Sequence, residues 1–94
     1  MRLSELRAVR TRGGALVRWR TQSEAWVVGF DLYRTTPSGS VRLNRTLIPA
    51  LGAIHGRRYF WRDTRIAGAG TSYRLLAVRA DGTPELAGTA PLRG

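Results

Sequence analysis

An all-β chain of seven short strands, closed as a sandwich or a barrel, is the fold that this sequence predicts. Three observations predict it. Apolar and polar residues alternate with a period of two, turn signals recur at roughly 8–12-residue spacing, and no 3.6-residue period is sustained. The 94 residues read as one domain, 1–94. A domain of this size buries only about two-thirds of the surface its unfolded chain exposes, so the core must be compact and well specified.

The first strand is expected over residues 3–11, stopped at Gly13-Gly14. In the next segment, "ALVRWRT", Ala15, Val17, Trp19 and Thr21 take one face while Leu16, Arg18 and Arg20 take the other. Only the first of these faces is apolar enough for a core. Thr21 and Glu24 have capping-box spacing for a short helix over 21–26, although Gly29 leaves it little room. "GFDLYRTTPSGSVRLN", residues 29–44, reads as a hairpin. Phe30 and Leu32 alternate with Asp31 and Tyr33, a Pro-Ser-Gly-Ser turn follows, and a second alternation runs through Val41 and Leu43, giving strands at 28–35 and 41–44.

Residues 45–58 form the longest irregular connection, punctuated by Pro49, Gly52 and Gly56. A strand resumes at 58–63 with Tyr59 and Trp61 opposed to Phe60 and Arg62. "AGAG" at 67–70 is a turn, and "TSYRLLAVRA" then sets Tyr73, Leu75 and Ala77 against Arg74, Leu76 and Val78. Asp81-Gly82 predicts a type I′ hairpin turn with positive φ at both positions. A last strand at 85–91 closes the pattern.

The formal charge of +10 comes from sixteen basic and six acidic residues, and all sixteen are arginine. A chain without lysine points to a GC-rich genome. Arginine still brings its own chemistry, because the planar guanidinium grips carboxylate and phosphate in a bidentate way and stacks on rings. With no cysteine, thiolate chemistry and cysteine-based zinc sites are excluded. No apolar run approaches the ~20 residues of a membrane-spanning helix. Arg2, Arg7, Arg10 and Arg12 interrupt the N-terminal segment, which does not read as a signal peptide.

The order of "V-x-W-x-T-x-S-E", "G-F-D-L-Y-R", "I-P-A-x-G", an aromatic strand ending in "D-T", "Y-R-L-x-A-V" and a final "D-G" resembles a bacterial fibronectin type III-like module. The resemblance covers about residues 5–90 and implies a seven-stranded antiparallel β-sandwich of immunoglobulin type, such as occurs near the C-termini of large secreted or surface proteins. It implies that Trp19, Phe30, Leu32, Tyr73, Leu75 and Ala77 are core residues. Two features depart from the pattern. Ala25, Trp26, Val27 and Val28 make the segment before "GF" unusually apolar, and Thr71 replaces the aromatic residue expected two positions before Tyr73. The usual tyrosine-corner hydrogen bond is therefore not expected. The implied location is secreted or cell-surface, as part of a longer protein; the cytoplasm is expected if these 94 residues are the whole natural chain.

Catalysis is not expected. His55 is the sole histidine, in a Gly-rich loop without a nucleophile elbow or paired acid. Asp63, Asp81 and Glu85 read as strand-end or turn residues, and no cofactor or metal site is expected. "GAGTSY" at 68–73 leads into a strand, so it lacks the helix terminus of a phosphate loop. "NRT" at 44–46 is a formal glycosylation sequon that we read as accidental.

Two binding surfaces remain. Trp26 and Val27, with Leu51 and Ile54, are expected to form an apolar patch at an end or edge, while Tyr33, Leu76 and Val78 share the exposed face of the other sheet. These suit a structural or interaction module whose partner is a neighbouring domain or a second copy. The alternative is an Arg-rich domain for nucleic acid or another polyanion: strand pairing of the kind the resemblance implies would put Arg18 and Arg20 on one outer face with Arg58 or Arg62 and with Arg7 or Arg10.

Overall fold

A computed structural model describes residues 1–52, 54–65 and 68–94. The chain forms β1 (Arg2–Thr11), β2 (Gly14–Ser23), β3 (Val27–Thr36), β4 (Gly39–Arg42), β5 (Ile48–Pro49), β6 (Arg58–Asp63), β7 (Ser72–Arg79) and β8 (Pro84–Arg93). No helix occurs among the described residues. The alternation in the sequence is what places the core. Ala15, Val17 and Trp19 of β2, Phe30 and Leu32 of β3, and Tyr73, Leu75 and Ala77 of β7 are buried together with Ala8 and Ala90. Trp19 stacks on Tyr59 with ring centroids 5.4 Å apart, and both meet Phe30 edge-on.

The strands run in the order β4-β3-β7-β8-β1-β2-β6, with β5 pairing β3. This is one strongly curled sheet, a half-barrel wrapped around its core. The seven-stranded antiparallel fibronectin type III-like sandwich expected from the resemblance is therefore corrected. The physical reason is a parallel pairing of β1 with β8, at Ala8↔Leu92 and Val9↔Arg93, which continues the hydrogen-bonded sheet where a sandwich would break into two. The eighth strand is β5, hidden in the expected irregular connection because Pro49 masks so short a pairing, Gly29↔Pro49 and Phe30↔Ile48. Part of that connection, Ala53, lies outside the described residues, as does Ala67 of the 67–70 turn.

Two local expectations also change. Only Gly82 takes a positive φ, 87°, in the β7–β8 turn. Its N–H bonds the Arg79 carbonyl at 2.8 Å, while Asp81 accepts from the Thr83 N–H and hydroxyl, so a longer turn replaces type I′. Thr21 and Glu24 do contact each other, but through a hydroxyl-to-carboxylate bond rather than the side-chain-to-main-chain bonds of a capping box, and no helix follows. Their hydrogen bond is spent in a buried cluster instead.

Candidate functional site

Two buried polar clusters fix the loops that carry the exposed surfaces. In the first, the carboxylate of Glu24, only 3% exposed, accepts from Thr21 Oγ1, from Tyr59 Oη at 2.6 Å and from the Gly52 N–H at 2.7 Å. Thr21 in turn accepts from the Arg57 N–H at 2.8 Å, and Tyr59 Oη accepts from the Leu51 N–H at 2.9 Å. The β2–β3 turn is thereby tied to the loop at 50–57. Burial, reinforced by the bond to Glu24, pushes the Tyr59 hydroxyl up to about 12.

In the second cluster, Arg34 of β3 reaches across the core to Asp63 of β6, with Nη1 at 2.8 and 2.9 Å from the two carboxylate oxygens. Tyr73 Oη donates to Oδ2 at 2.7 Å and the Arg65 N–H to Oδ1. Burial alone would raise the Asp63 carboxyl, but the bonds from Tyr73, Arg34 and Arg65 outweigh it and hold it below the usual carboxylate range. The same burial and the bond to Asp63 drive the Tyr73 hydroxyl upward.

The apolar end is built on the first cluster. Trp26 is 83% exposed, Leu51 58% and Ile54 72%. Glu24 brings them to the same end of the molecule, and the Trp26 carbonyl accepts from the Ala80 N–H of the β7–β8 turn at 2.9 Å. Val27 does not join them: it turns inward and packs against the core, and Val28 is the exposed neighbour instead. A register irregularity between Val27 and Gly29 accounts for the switch, since one extra residue reverses which side chain points out. Tyr33, Leu76 and Val78 are half-buried on the outer face of β3 and β7, where Leu76 lies opposite both Asp31 and Leu86. They form a surface distinct from the Trp26 end.

The basic face is built by strand register. Arg20 lies opposite Glu5 and Arg58, Arg18 opposite Arg7 and Phe60, and Leu16 opposite Val9 and Arg62. The four arginines named from the sequence thus do share one face, together with Arg7, and Phe60, 68% exposed, stands between Arg58 and Arg62 on its β6 edge. Arg10 falls on the opposite parity of β1 and pairs with Ala15. A bond from the Thr21 N–H to the Arg57 carbonyl at 2.9 Å sets the phase of the β2–β6 ladder. Arg20 and Arg58 consequently occupy a non-hydrogen-bonded pair, where facing side chains come closest. Like charges so placed destabilise a sheet. One ion pair relieves them, Arg7 with Glu5 at 3.9 Å. Arg7, Arg18, Arg58 and Glu5 surround a shallow concavity of about 320 Å³.

Of the residues that sequence reasoning passed over, Arg34 and Phe60 matter most. Arg34 sits on the inward parity of the 29–44 hairpin with Phe30 and Leu32, a signal that its charge needs a buried partner. Phe60 alternates with Tyr59 and Trp61, which marks it as outward. His55 is exposed, and its hydrogen bond is a main-chain one to Gly52. Asn44 of the sequon is buried, its amide donating to Asp31 and Thr46 and accepting from the Leu32 N–H, so no glycan can be attached to the side chain as it stands.

No protein-family model matches the sequence, and no curated protein matches it. Among solved structures the chain is similar to part of the pectate lyase Pel3 from Pectobacterium carotovorum, with a TM-score of 0.60 and 17% sequence identity. The match covers 90% of this chain and 24% of the lyase chain. It is a likeness of fold, and the chain spans about a quarter of that enzyme's length. With the single curled sheet, it replaces the fibronectin type III-like assignment.

Proposed function

We propose that this chain is a non-catalytic protein-interaction module that docks a partner protein, a neighbouring domain or a second copy, through the apolar end around Trp26, in a secreted, surface or particle-decorating assembly. Trp26 carries the reading. It has a φ of 67°, a left-handed conformation that a bulky side chain adopts only at a cost, and it is also among the most exposed side chains of the molecule. A strained backbone that presents an indole to solvent is spent on contact, because packing gains nothing from it.

Molar mass in solution by light scattering, at low and high salt, tests this for the wild type and Trp26→Ala. A multimer that persists in salt and dissociates in the variant supports docking between copies; a monomer under all conditions assigns the end to another protein. Trp26→Gly separates the surface from the fold. Glycine accepts the positive φ without strain, so stability is expected to rise by about 1 kcal/mol in urea melts while docking is lost.

A second reading rests on a separate observation, the register that sets Arg20 against Arg58 and Arg18 against Arg7. Such a face suits a polyanion, with Phe60 as a stacking surface between guanidinium groups. Binding to a single-stranded oligonucleotide is then expected to weaken steeply with salt. Arg18→Ala or Arg58→Ala should each lower the slope of log K against log salt by about 1. A slope unchanged in both variants would remove this reading.

A further inference from the structure

The strand order leaves β6 at one end of the sheet, with β2 on one side and, among the described residues, no strand on the other. The phase of the β2–β6 ladder, set at Thr21 and Arg57, sends the main-chain N–H and C=O groups of Tyr59 and Trp61 toward β2 and those of Arg58, Phe60 and Arg62 toward the open side. Beside this edge lies a groove of about 590 Å³, lined largely by Leu43, Leu47, Ile48, Pro49, Phe60 and Trp61. Arg45 stands at it, and no acidic side chain is among the described residues that line it.

We infer that the β6 edge binds an extended acidic segment of a partner protein as an added strand, with apolar side chains entering the groove and carboxylates facing Arg58 and Arg62. Pairing with β6 continues the pleat, so residues of the added strand alternate between the two sides. One side meets Trp61 and the apolar lining, the other the basic face. An alternating acidic and apolar segment matches both.

The charge of the edge selects this occupant. Free edges are ordinarily protected by bulges, prolines or charge. β6 pairs with β2 without a register shift and contains no proline, so its arginines are its protection. That protection repels a second copy, since β6 against β6 would bring arginines together on chains of net charge +10. β4, on the outer side of β3, also ends in arginine. An acidic strand meets no such barrier. This inference goes beyond the Trp26 reading and uses none of its residues.

The test is titration of the full chain with a capped octapeptide of alternating Glu and Val, followed by amide hydrogen exchange. Binding that weakens with salt and slows exchange at Arg58, Phe60 and Arg62 is expected, and the Lys-Val counterpart should not bind. N-methylating the peptide on the edge that faces β6 should weaken binding about fivefold per lost hydrogen bond. Phe60→Ala, at an exposed position that leaves the fold intact, should also weaken it, whereas Trp26→Ala should bind as the wild type does. Affinity indifferent to N-methylation, protection elsewhere, or an oligothymidylate that binds equally well without protecting these amides would overturn the inference.

Discussion

Asp63→Ala is expected to cost about 3–5 kcal/mol in urea denaturation, because it leaves the guanidinium of Arg34 buried and without its partner. That is a large share of the roughly 5–15 kcal/mol that holds a domain together. The cost comes from the stranded charge, not from the pair's own worth. Replacing Arg34 and Asp63 together with apolar residues of similar size should therefore recover most of the loss, since buried ion pairs are often matched by packed hydrophobes. A single replacement costing under about 1 kcal/mol would contradict the buried cluster. The pH dependence follows the same carboxylate. Its folded value is depressed, so its contribution is fully present above the unfolded value of about 3.9 and is lost as pH falls through the folded one. Asp63→Asn should flatten this acid limb. At the alkaline end the sign reverses: Tyr59, raised to about 12, contributes fully below its unfolded value of about 10 and loses that contribution as pH rises through the folded one.

Trp19→Ala is expected to be as severe, about 3–5 kcal/mol, for a different reason. The indole is 1% exposed, stacks on Tyr59 and meets Phe30, so its removal opens a cavity at the centre of the curled sheet. It also frees Tyr59, whose hydroxyl holds Glu24 and Leu51. Loss of the Trp19 ring should thus raise amide exchange in the loop at 50–57 as well as lower global stability. Trp19→Phe, which keeps a ring in place, should lose less than half as much. Equal losses in the two variants would mean that the stacking on Tyr59 is not what matters.

These two residues also show what could be read in advance. Trp19 was legible because a period of two puts it on one face with Ala15, Val17 and Thr21, and all four are buried. The same rule placed Phe30, Leu32, Tyr73, Leu75 and Ala77, and it put Arg18 and Arg20 outside. Asp63 was not legible as more than a strand end. Its importance depends on Arg34, twenty-nine residues away in sequence, crossing the core. The closure into one sheet was equally hidden, since two residue pairs between β1 and β8 leave no mark on either strand's alternation. For the surfaces, alternation told which residues face out. Cross-strand register told which of them meet, and register depends on turn geometry and bulges such as the one between Val27 and Gly29. That is why Val27 lies inward and Phe60 joins the arginines at the edge of the basic face.

The β1–β8 pairing has a mechanical consequence. The two strands run in the same direction and meet near their C-terminal ends, where Arg10 Nε bonds the Gly94 carbonyl. Met1 and Gly94 therefore lie at opposite ends of β1. Tension applied between these two points would load the short seam in shear, all of its bonds at once, while the antiparallel ladders on either side stay relaxed. The seam, two residue pairs long, would be the first element to slip, and its failure would open the half-barrel into two three-strand-or-larger flaps before either unravelled.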